Sequence, residues 1–176
     1  FGDEEVDKFM EMTGVRASHR TSEHQTCSDL GYRAASELLE KKGINREEIG
    51  ALIFSSHSPD YRRPSTAFVL QYRLGIPKEA VCYDISLGCS SLVVGMQTIG
   101  SIMNSSDMKY ALLFVGDTAG KSVCPTDRSS AMLFGEAGAV MLLEKTDNPD
   151  DQVKALVRSD GSGFRSMIVP GGGYRN

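Results

Sequence analysis

Hydrophobic positions along this chain follow two different spacings, which predict two kinds of secondary structure. Between residues 27 and 42, apolar side chains recur every three or four positions, and Gly43 follows where the pattern stops. This spacing is typical of a helix that buries one stripe and is closed by a glycine in the left-handed conformation. The stretch ALIFSS at 51–56 is instead almost wholly apolar and of strand length. A continuous run of this kind indicates a strand that is covered on both faces of a sheet.

The same two patterns alternate along the rest of the chain. Further helices are predicted at residues 3–12, 65–74 and 90–104. Further strands are predicted at residues 80–86, 109–117, 137–145 and 153–160, the last two as antiparallel neighbours. This order of elements indicates an α/β fold, a three-layer α/β/α arrangement around a mixed sheet. The last helix is apolar nearly all round, so it is expected to be the most buried, with Val93, Met96 and Ile99 facing inward.

Charge and cysteine usage narrow the possible functions. The 176 residues carry a formal net charge of −4, and their lysines and arginines are scattered along the sequence. That distribution gives no electrostatic footprint for nucleic acid. No apolar run reaches the ~18 residues that a membrane span needs. The four cysteines form no CxxC pair and no close Cys/His set, which argues against a zinc site or a disulfide framework and favours a reduced, cytoplasmic protein.

One cysteine occupies a position that suits nucleophilic chemistry. A predicted strand ends just before Gly88 and Cys89, and a predicted helix follows them directly. A thiol at a sharp turn before a helix faces unpaired amide N–H groups and the positive end of the helix dipole, an arrangement typical of a reactive thiolate. A free cysteine is also often an inert core residue. From spacing alone both interpretations of Cys89 stay open, whereas Cys27, Cys82 and Cys124 are expected to be core fillers.

Five blocks of sequence carry a resemblance to a known family. They are TGVRASHR, SPDYRRPSTAFVLQYRLGI, YDISLGCSSLVVGM, CPTDRSSAMLFGEAGAVML, and DGSG followed by VPGGG. Their order and spacing resemble those of the β-ketoacyl-acyl-carrier-protein synthase III family, whose members have the thiolase fold of two similar halves. The resemblance implies that residues 1–176 are the N-terminal half of such a condensing enzyme, without its first strand, which is expected before Phe1, and without its C-terminal half.

The activity that the resemblance implies depends on Cys89. In the family, the cysteine of this block takes an acyl group from acyl-CoA, which then condenses with malonyl-acyl-carrier protein in a decarboxylative Claisen reaction of fatty acid biosynthesis. The chain is therefore expected to be a 3-oxoacyl-[acyl-carrier-protein] synthase III-like acyltransferase with Cys89 as its catalytic nucleophile. The His and Asn that assist condensation belong to the family's second half, so the chain alone is not expected to condense. No cofactor is implied, because coenzyme A enters as a substrate thioester, and the expected partners are acyl-CoA, acyl-carrier protein and a second copy of the chain.

The resemblance implies only some of the family's substrate-binding residues. Thr13 and Arg128 are the positions expected to hold coenzyme A. Lys8 and Met12 stand where family members carry a tryptophan and an arginine that help to hold the nucleotide, and the chain contains no tryptophan. Arg63 stands where family members commonly carry an aromatic residue that closes the acyl pocket across the dimer interface. Together these departures put the usual short acyl-CoA primer in question. Glu136, within FGEAGA, is expected to be a cap or a surface acid.

Two other interpretations remain open at this point. Another thiolase-fold synthase, such as a hydroxymethylglutaryl-CoA synthase-like enzyme or a secondary-metabolite ketosynthase, would use the same cysteine with a different acceptor. A non-condensing partner subunit would use the fold for dimerisation or for carrier-protein docking. The presence of Cys89 argues against the partner subunit, whereas Lys8 and Met12 favour it mildly. The second half would decide, because a partner subunit should lack the His or the Asn.

Overall fold

A sheet of four strands lies at the centre of the chain in the computed structural model, which describes residues 2–128, 130–151 and 154–175. The strands are β1 (Ile49–Ser55), β2 (Val81–Ile85), β3 (Tyr110–Asp117) and β4 (Ala137–Glu144). The α-helices of the described residues are α1 (Asp3–Thr13), α2 (Cys27–Lys42), α3 (Thr66–Leu74) and α4 (Ser91–Asn104). Each of these elements begins close to its predicted start, so the hydrophobic spacing located them correctly.

The four strands form a mixed sheet. They lie in the order β2, β1, β3, β4. β1 runs parallel to both of its neighbours, with Ile53 opposite Tyr83 of β2 and Leu113 of β3. β4 runs antiparallel to β3, with Leu113 opposite Met141. Because β1, β2 and β3 are parallel, their carboxyl ends share one edge of the sheet, where the segments that follow them meet.

The two faces of the sheet bury alternate residues of the same strands. On one face, Leu52 and Phe54 of β1 pack with Leu112 and Phe114 of β3 against α2 and α3. On the other face, the intervening residues of these strands pack against α4. The four named side chains are at most 1% exposed, and burial of each is worth about 1.5–3 kcal/mol. Helices on both faces explain why these strands are continuously apolar, and they confirm the predicted α/β class with its three layers.

The packing of α4 differs from the prediction. Ile99 is fully buried, as expected, but Val93 is 47% exposed and Leu92 is 43% exposed. The helix places Ser91, Gly95, Ile99 and Met103 against the sheet, and this four-residue spacing leaves the opposite side of the helix uncovered in the chain. The prediction that Val93 faces inward is therefore wrong, and an apolar composition all round did not mean burial all round here.

The predicted strand at 153–160 is also absent from the part of the chain that the structure describes. Residues 154–160 form neither helix nor strand and are mostly exposed, and residue 153 lies outside the described residues. A strand requires a neighbouring edge for its backbone hydrogen bonds. The apolar residues of this segment are typical of a strand, but none of the described strands pairs with residues 154–160.

Candidate active site

Cys89 lies on the tight turn that joins β2 to α4. After Ile85 the backbone turns back, and the amide of Leu87 donates to the carbonyl of Ile85 at 3.0 Å. The amide of Ser91 donates to the carbonyl of Gly88 at 2.9 Å, which closes the turn around Cys89. The side chain of Cys89 is exposed. The predicted strand, turn and helix are thus present, and the thiol is two residues before the first helical residue, at the carboxyl edge of the sheet.

A pair of buried serines ties this turn to the neighbouring strand. The hydroxyl of Ser55, at the end of β1, donates to the hydroxyl of Ser91 at 2.9 Å. The hydroxyl of Ser91 in turn donates to the carbonyl of Leu87 at 2.6 Å. Both serines are buried, so their hydroxyls have no competing water and hold the geometry firmly. The start of α4 is therefore fixed relative to the end of β1.

Asp84 organises the same edge of the sheet from β2. Its two carboxylate oxygens accept hydrogen bonds from the backbone amides of Thr66 at 2.7 Å and Ala67 at 2.8 Å, at the start of α3. Burial raises the pKa of Asp84 although these two amides oppose the shift, and the negative charge of Asp60 adds to it. The hydrophobic pattern does not reveal this role of Asp84, although an acidic residue near the carboxyl end of a predicted strand is a usable signal.

The four thiols lie in different environments. Cys27 is buried, and burial followed by the negative charges of Asp117 and Asp60 raises its pKa to about 12. Burial also raises the pKa of Cys82, which is partly covered, to about 11. Cys124 is exposed, and hydrogen bonding from the side chain and then the backbone of Thr126 lowers its pKa. The prediction of a buried core cysteine is correct for Cys27 and wrong for Cys124, because Cys124 belongs to the loop between β3 and β4 and not to the sheet.

Arg128 and Thr13 both lie at α1, at opposite ends of it. The guanidinium Nη1 of Arg128 is 2.6 Å from a carboxylate oxygen of Glu5, and the Arg128 side chain is 74% exposed. The hydroxyl of Thr13 donates to the carbonyl of Phe9 at 2.7 Å and accepts from the amide of Val15 at 3.2 Å. Glu5 and Thr13 are separated by roughly 12 Å along the helix axis, at 1.5 Å per residue. Arg128 thus lies against the first turns of α1, whereas Thr13 lies at its last turn.

Glu136 is buried, which corrects its interpretation as a surface acid. It is 8% exposed, and its carboxylate accepts from the amide of Thr21 at 2.6 Å and lies 3.7 Å from the guanidinium of Arg20. Burial alone would raise the pKa of Glu136, but the hydrogen bonds from Thr21 and the charge of Arg20 outweigh it and lower the pKa. The contact joins the loop that carries Arg20 to the end of the loop that carries Arg128.

Two further properties concern metals and membranes. Over residues 2–128, 130–151 and 154–175, no group of three or more His, Cys, Asp or Glu side chains is placed to hold a metal ion. No helix in these same ranges has the length and apolar character needed to cross a membrane.

Comparisons with known proteins point to one family. The sequence profile described as 3-oxoacyl-[acyl-carrier-protein (ACP)] synthase III matches residues 83–161, which include Cys89 and Arg128. The chain is 37% identical over 162 residues to a β-ketoacyl-[acyl-carrier-protein] synthase III of Clostridium beijerinckii, covering 92% of this chain and 49% of that protein. It is 31% identical over 170 residues to a protein of the same name from Koribacter versatilis, covering 96% of this chain and 51% of that protein.

Solved structures give the same result. A 3-oxoacyl-(acyl-carrier protein) synthase from Burkholderia xenovorans superposes with a TM-score of 0.92 at 36% identity, covering 99% of this chain and 50% of that one. A 3-oxoacyl-(acyl carrier protein) synthase III from Pseudomonas aeruginosa superposes with a TM-score of 0.83 at 29% identity, covering 97% of this chain and 53% of that one. The chain spans about half the length of the curated relatives that it matches.

Proposed function

Because this chain belongs to the 3-oxoacyl-[acyl-carrier-protein] synthase III family, over about half the length of its relatives, we propose that it accepts an acyl group from acyl-CoA on Cys89. The observation that carries this assignment is the exposed thiol on the turn between β2 and α4. Cys27 is buried and Cys82 is partly covered, so neither thiol is as accessible as that of Cys89. Burial also raises the pKa of both thiols, which disfavours their reactive thiolate form.

The acyl transfer proceeds in two steps, addition to the thioester carbonyl and then loss of coenzyme A. The Cys89 thiolate attacks the thioester carbonyl of acyl-CoA, which forms a carbon–sulfur bond and places a negative charge on the carbonyl oxygen. The backbone N–H of Cys89 donates one hydrogen bond to this oxyanion. The intermediate then collapses, the bond to the coenzyme A sulfur breaks, and coenzyme A leaves as a thiolate that takes a proton from water. Cys89 retains the acyl group as a thioester.

Arg128 and Thr13 bind the coenzyme A portion of the donor in this proposal. Arg128 is 74% exposed and pairs with Glu5 of α1, so its planar guanidinium is accessible to a nucleotide base or a phosphate. Thr13 lies at the end of the same helix. Lys8 and Glu4, one turn apart on α1, form an exposed ion pair at 2.8 Å. Lys8 therefore supplies a cation beside the proposed nucleotide path, but not the stacking surface of an aromatic ring.

The whole protein then catalyses the condensing step of a 3-oxoacyl-[acyl-carrier-protein] synthase III in fatty acid biosynthesis. Malonyl-acyl-carrier protein loses carbon dioxide, its carbanion attacks the carbonyl of the acyl-Cys89 thioester, and the thiolate of Cys89 leaves. The donors that stabilise the carbanion are assigned to residues outside this chain. The acyl-accepting step, not the condensation, is the part of the reaction that we assign to these 176 residues.

We propose that the protein is a cytoplasmic homodimer whose two copies pair through β2. Among the strands of the described residues, β2 pairs with β1 alone. Val81 at its start is 43% exposed, and Tyr61 in the loop before α3 is 60% exposed. An unpaired strand edge is a template for a second strand, and a twofold axis lets one strand pair with its own copy.

The test is a panel of acyl-CoA donors of increasing chain length. Release of free coenzyme A is measured for the unaltered chain, for Cys89→Ala and for the matched control Cys124→Ala. We expect release of one equivalent with at least one donor, loss of release in Cys89→Ala, and no change in Cys124→Ala. Malonyl-acyl-carrier protein is added in parallel, and we expect no 3-oxoacyl product from this chain. Absence of coenzyme A release with every donor would favour the non-condensing partner subunit instead.

A further inference from the structure

One carboxylate oxygen accepts four hydrogen bonds from the loop that follows β1. Oδ1 of Asp117, the last residue of β3, accepts from the hydroxyl of Ser56 at 2.8 Å and from the amides of His57 at 2.8 Å and Ser58 at 3.0 Å. The hydroxyl of Ser58 also donates to it at 3.0 Å. Hydrogen bonds to a charged acceptor are stronger than neutral ones. The backbone of His57 is therefore fixed to the carboxyl edge of the sheet.

The side chain of His57 extends from this fixed loop to the turn that carries Cys89. If Gly88 carried a Cβ atom, that atom would lie 3.1 Å from Nδ1 and 3.2 Å from Cε1 of the His57 ring. Gly88 is bonded directly to Cys89, one Cα–Cα step of about 3.8 Å away. The imidazole thus packs against the backbone of the residue that precedes the nucleophile.

The conformation of Gly88 does not by itself require glycine. Its φ angle lies outside the left-handed region, unlike those of Gly14, Gly43 and Gly75. An alanine could adopt this backbone conformation without strain. A side chain at residue 88 would instead displace the ring of His57 by a few tenths of an ångström.

From this contact we propose that His57 is a positioning residue for the nucleophile, and that its ring holds the Gly88–Cys89 turn in place. The inference rests on the proposed role of Cys89. Its chain of contacts runs from Asp117 through the 56–58 loop to the His57 ring and then to Gly88. Glycine at residue 88 leaves room for the ring of His57, so the two positions should be energetically coupled.

A double-mutant cycle tests this coupling without any acyl donor. Alkylation of Cys89 by iodoacetamide is followed by peptide mass spectrometry, and the exposed Cys124 of the same molecules serves as an internal standard. The variants are His57→Ala, Gly88→Ala and the double variant, with His24→Ala as a control at another exposed histidine. Cys27 and Cys82 report on folding, because their alkylation would accelerate in an unfolded sample.

We expect Gly88→Ala to lower the Cys89 to Cys124 rate ratio by about tenfold, and the same substitution to have less than about a twofold effect when residue 57 is alanine. His57→Ala alone should lower the ratio by roughly threefold, whereas His24→Ala should not change it. Equal effects of Gly88→Ala in both backgrounds, or no effect of it with His57 present, would overturn the proposal. Because the readout is alkylation, it is separable from a failure of acyl transfer itself.

Discussion

The cysteine side chains of this chain differ in their local environment, and the differences follow from burial and hydrogen bonding. Cys27 is enclosed beside β4, with its Sγ 3.7 Å from the carbonyl of Ala137. Cys124 lies in a loop, with its sulfur 3.2 Å from the hydroxyl of Thr126. Only the thiolate is an effective nucleophile. Reactivity toward an alkylating reagent therefore reports directly on these environments.

A first prediction concerns the pH dependence of alkylation. A raised pKa means that the thiolate appears only at higher pH, so Cys27 and Cys82, with pKa values of about 12 and about 11, should remain almost unmodified between roughly pH 7 and 9. Cys124, whose pKa is lowered, should react throughout that range. Mass spectrometry of peptides after timed alkylation at several pH values measures all of these rates. Modification of Cys27 as fast as Cys124 at pH 8 in a folded sample would show that the described burial is wrong.

At the scale of elements, the start of α2 depends on a capping box. The carboxylate of Asp29 accepts from the amide of Thr26 at 2.9 Å and lies 2.8 Å from the guanidinium of Arg73 on α3. Burial opposes ionisation, but the Thr26 and Arg73 contacts outweigh it and lower the pKa of Asp29. The helix end is thus stabilised by an ionised side chain.

We predict that Asp29→Ala lowers the free energy of unfolding by about 1 kcal/mol at pH 7, since it removes this cap. A lowered pKa in the folded state means that the stabilisation is present above the ordinary carboxylate pKa and is lost as pH falls through the folded value. The difference between Asp29→Ala and the unaltered chain should therefore shrink below about pH 4. Urea unfolding at pH 7 and pH 3 measures it, with Glu37→Ala as a control on the exposed side of α2. A difference that persists undiminished at pH 3 contradicts the assignment.

The helix that follows the nucleophile has one buried face and one exposed face. Ile99 is fully buried against the sheet, whereas Val93 is 47% exposed. We predict that Ile99→Ala destabilises the chain by about 2–5 kcal/mol, through lost burial and a cavity. Val93→Ala should change stability by less than about 0.5 kcal/mol. Denaturant unfolding compares the two, and similar losses for both would mean that α4 is covered on both sides.

At the scale of the whole molecule, the open side of the sheet predicts self-association. Val81→Lys places a charge at the exposed start of β2, where a second copy would pair. We expect the unaltered chain to sediment as a dimer at tens of micromolar, roughly the range in which weak dimers persist. Val81→Lys should sediment as a monomer, and the control Val157→Lys, at an exposed valine outside the sheet, should not. A monomer in the unaltered chain at that concentration would refute pairing through β2.

Much of this architecture could be predicted from the sequence because it depends on local spacing. The bounds of α2 and the turn after β2 follow from apolar periodicity and from glycine positions. Contacts between loops could not be predicted in this way. His57 meets Gly88 because β1 and β2 are parallel neighbours, and Glu136 is buried because a loop before α2 folds over it. Such contacts depend on which distant segments come together, and spacing along one segment does not record that.

The same limit explains the two errors in the helices and strands. Val93 and the 154–160 segment are apolar enough for burial or for a strand. Burial requires a surface to pack against, and a strand requires a neighbouring strand. Within the described residues, the sheet covers only the side of α4 that lies opposite Val93, and β4 pairs only with β3. An apolar composition thus indicates that a segment could be buried or paired, whereas the presence of a neighbouring element determines whether it is.

If Cys89 carries the acyl group, as we propose, the position of that group can be measured directly. The chain is incubated with the acyl-CoA that releases the most coenzyme A, and the intact mass and the peptide masses are then determined for the unaltered chain, Cys89→Ala and Cys124→Ala. We expect one added acyl group, located on the peptide that contains Cys89, in the unaltered chain and in Cys124→Ala, and none in Cys89→Ala. An acyl group that maps to Cys124, or that remains in Cys89→Ala, would contradict the proposal.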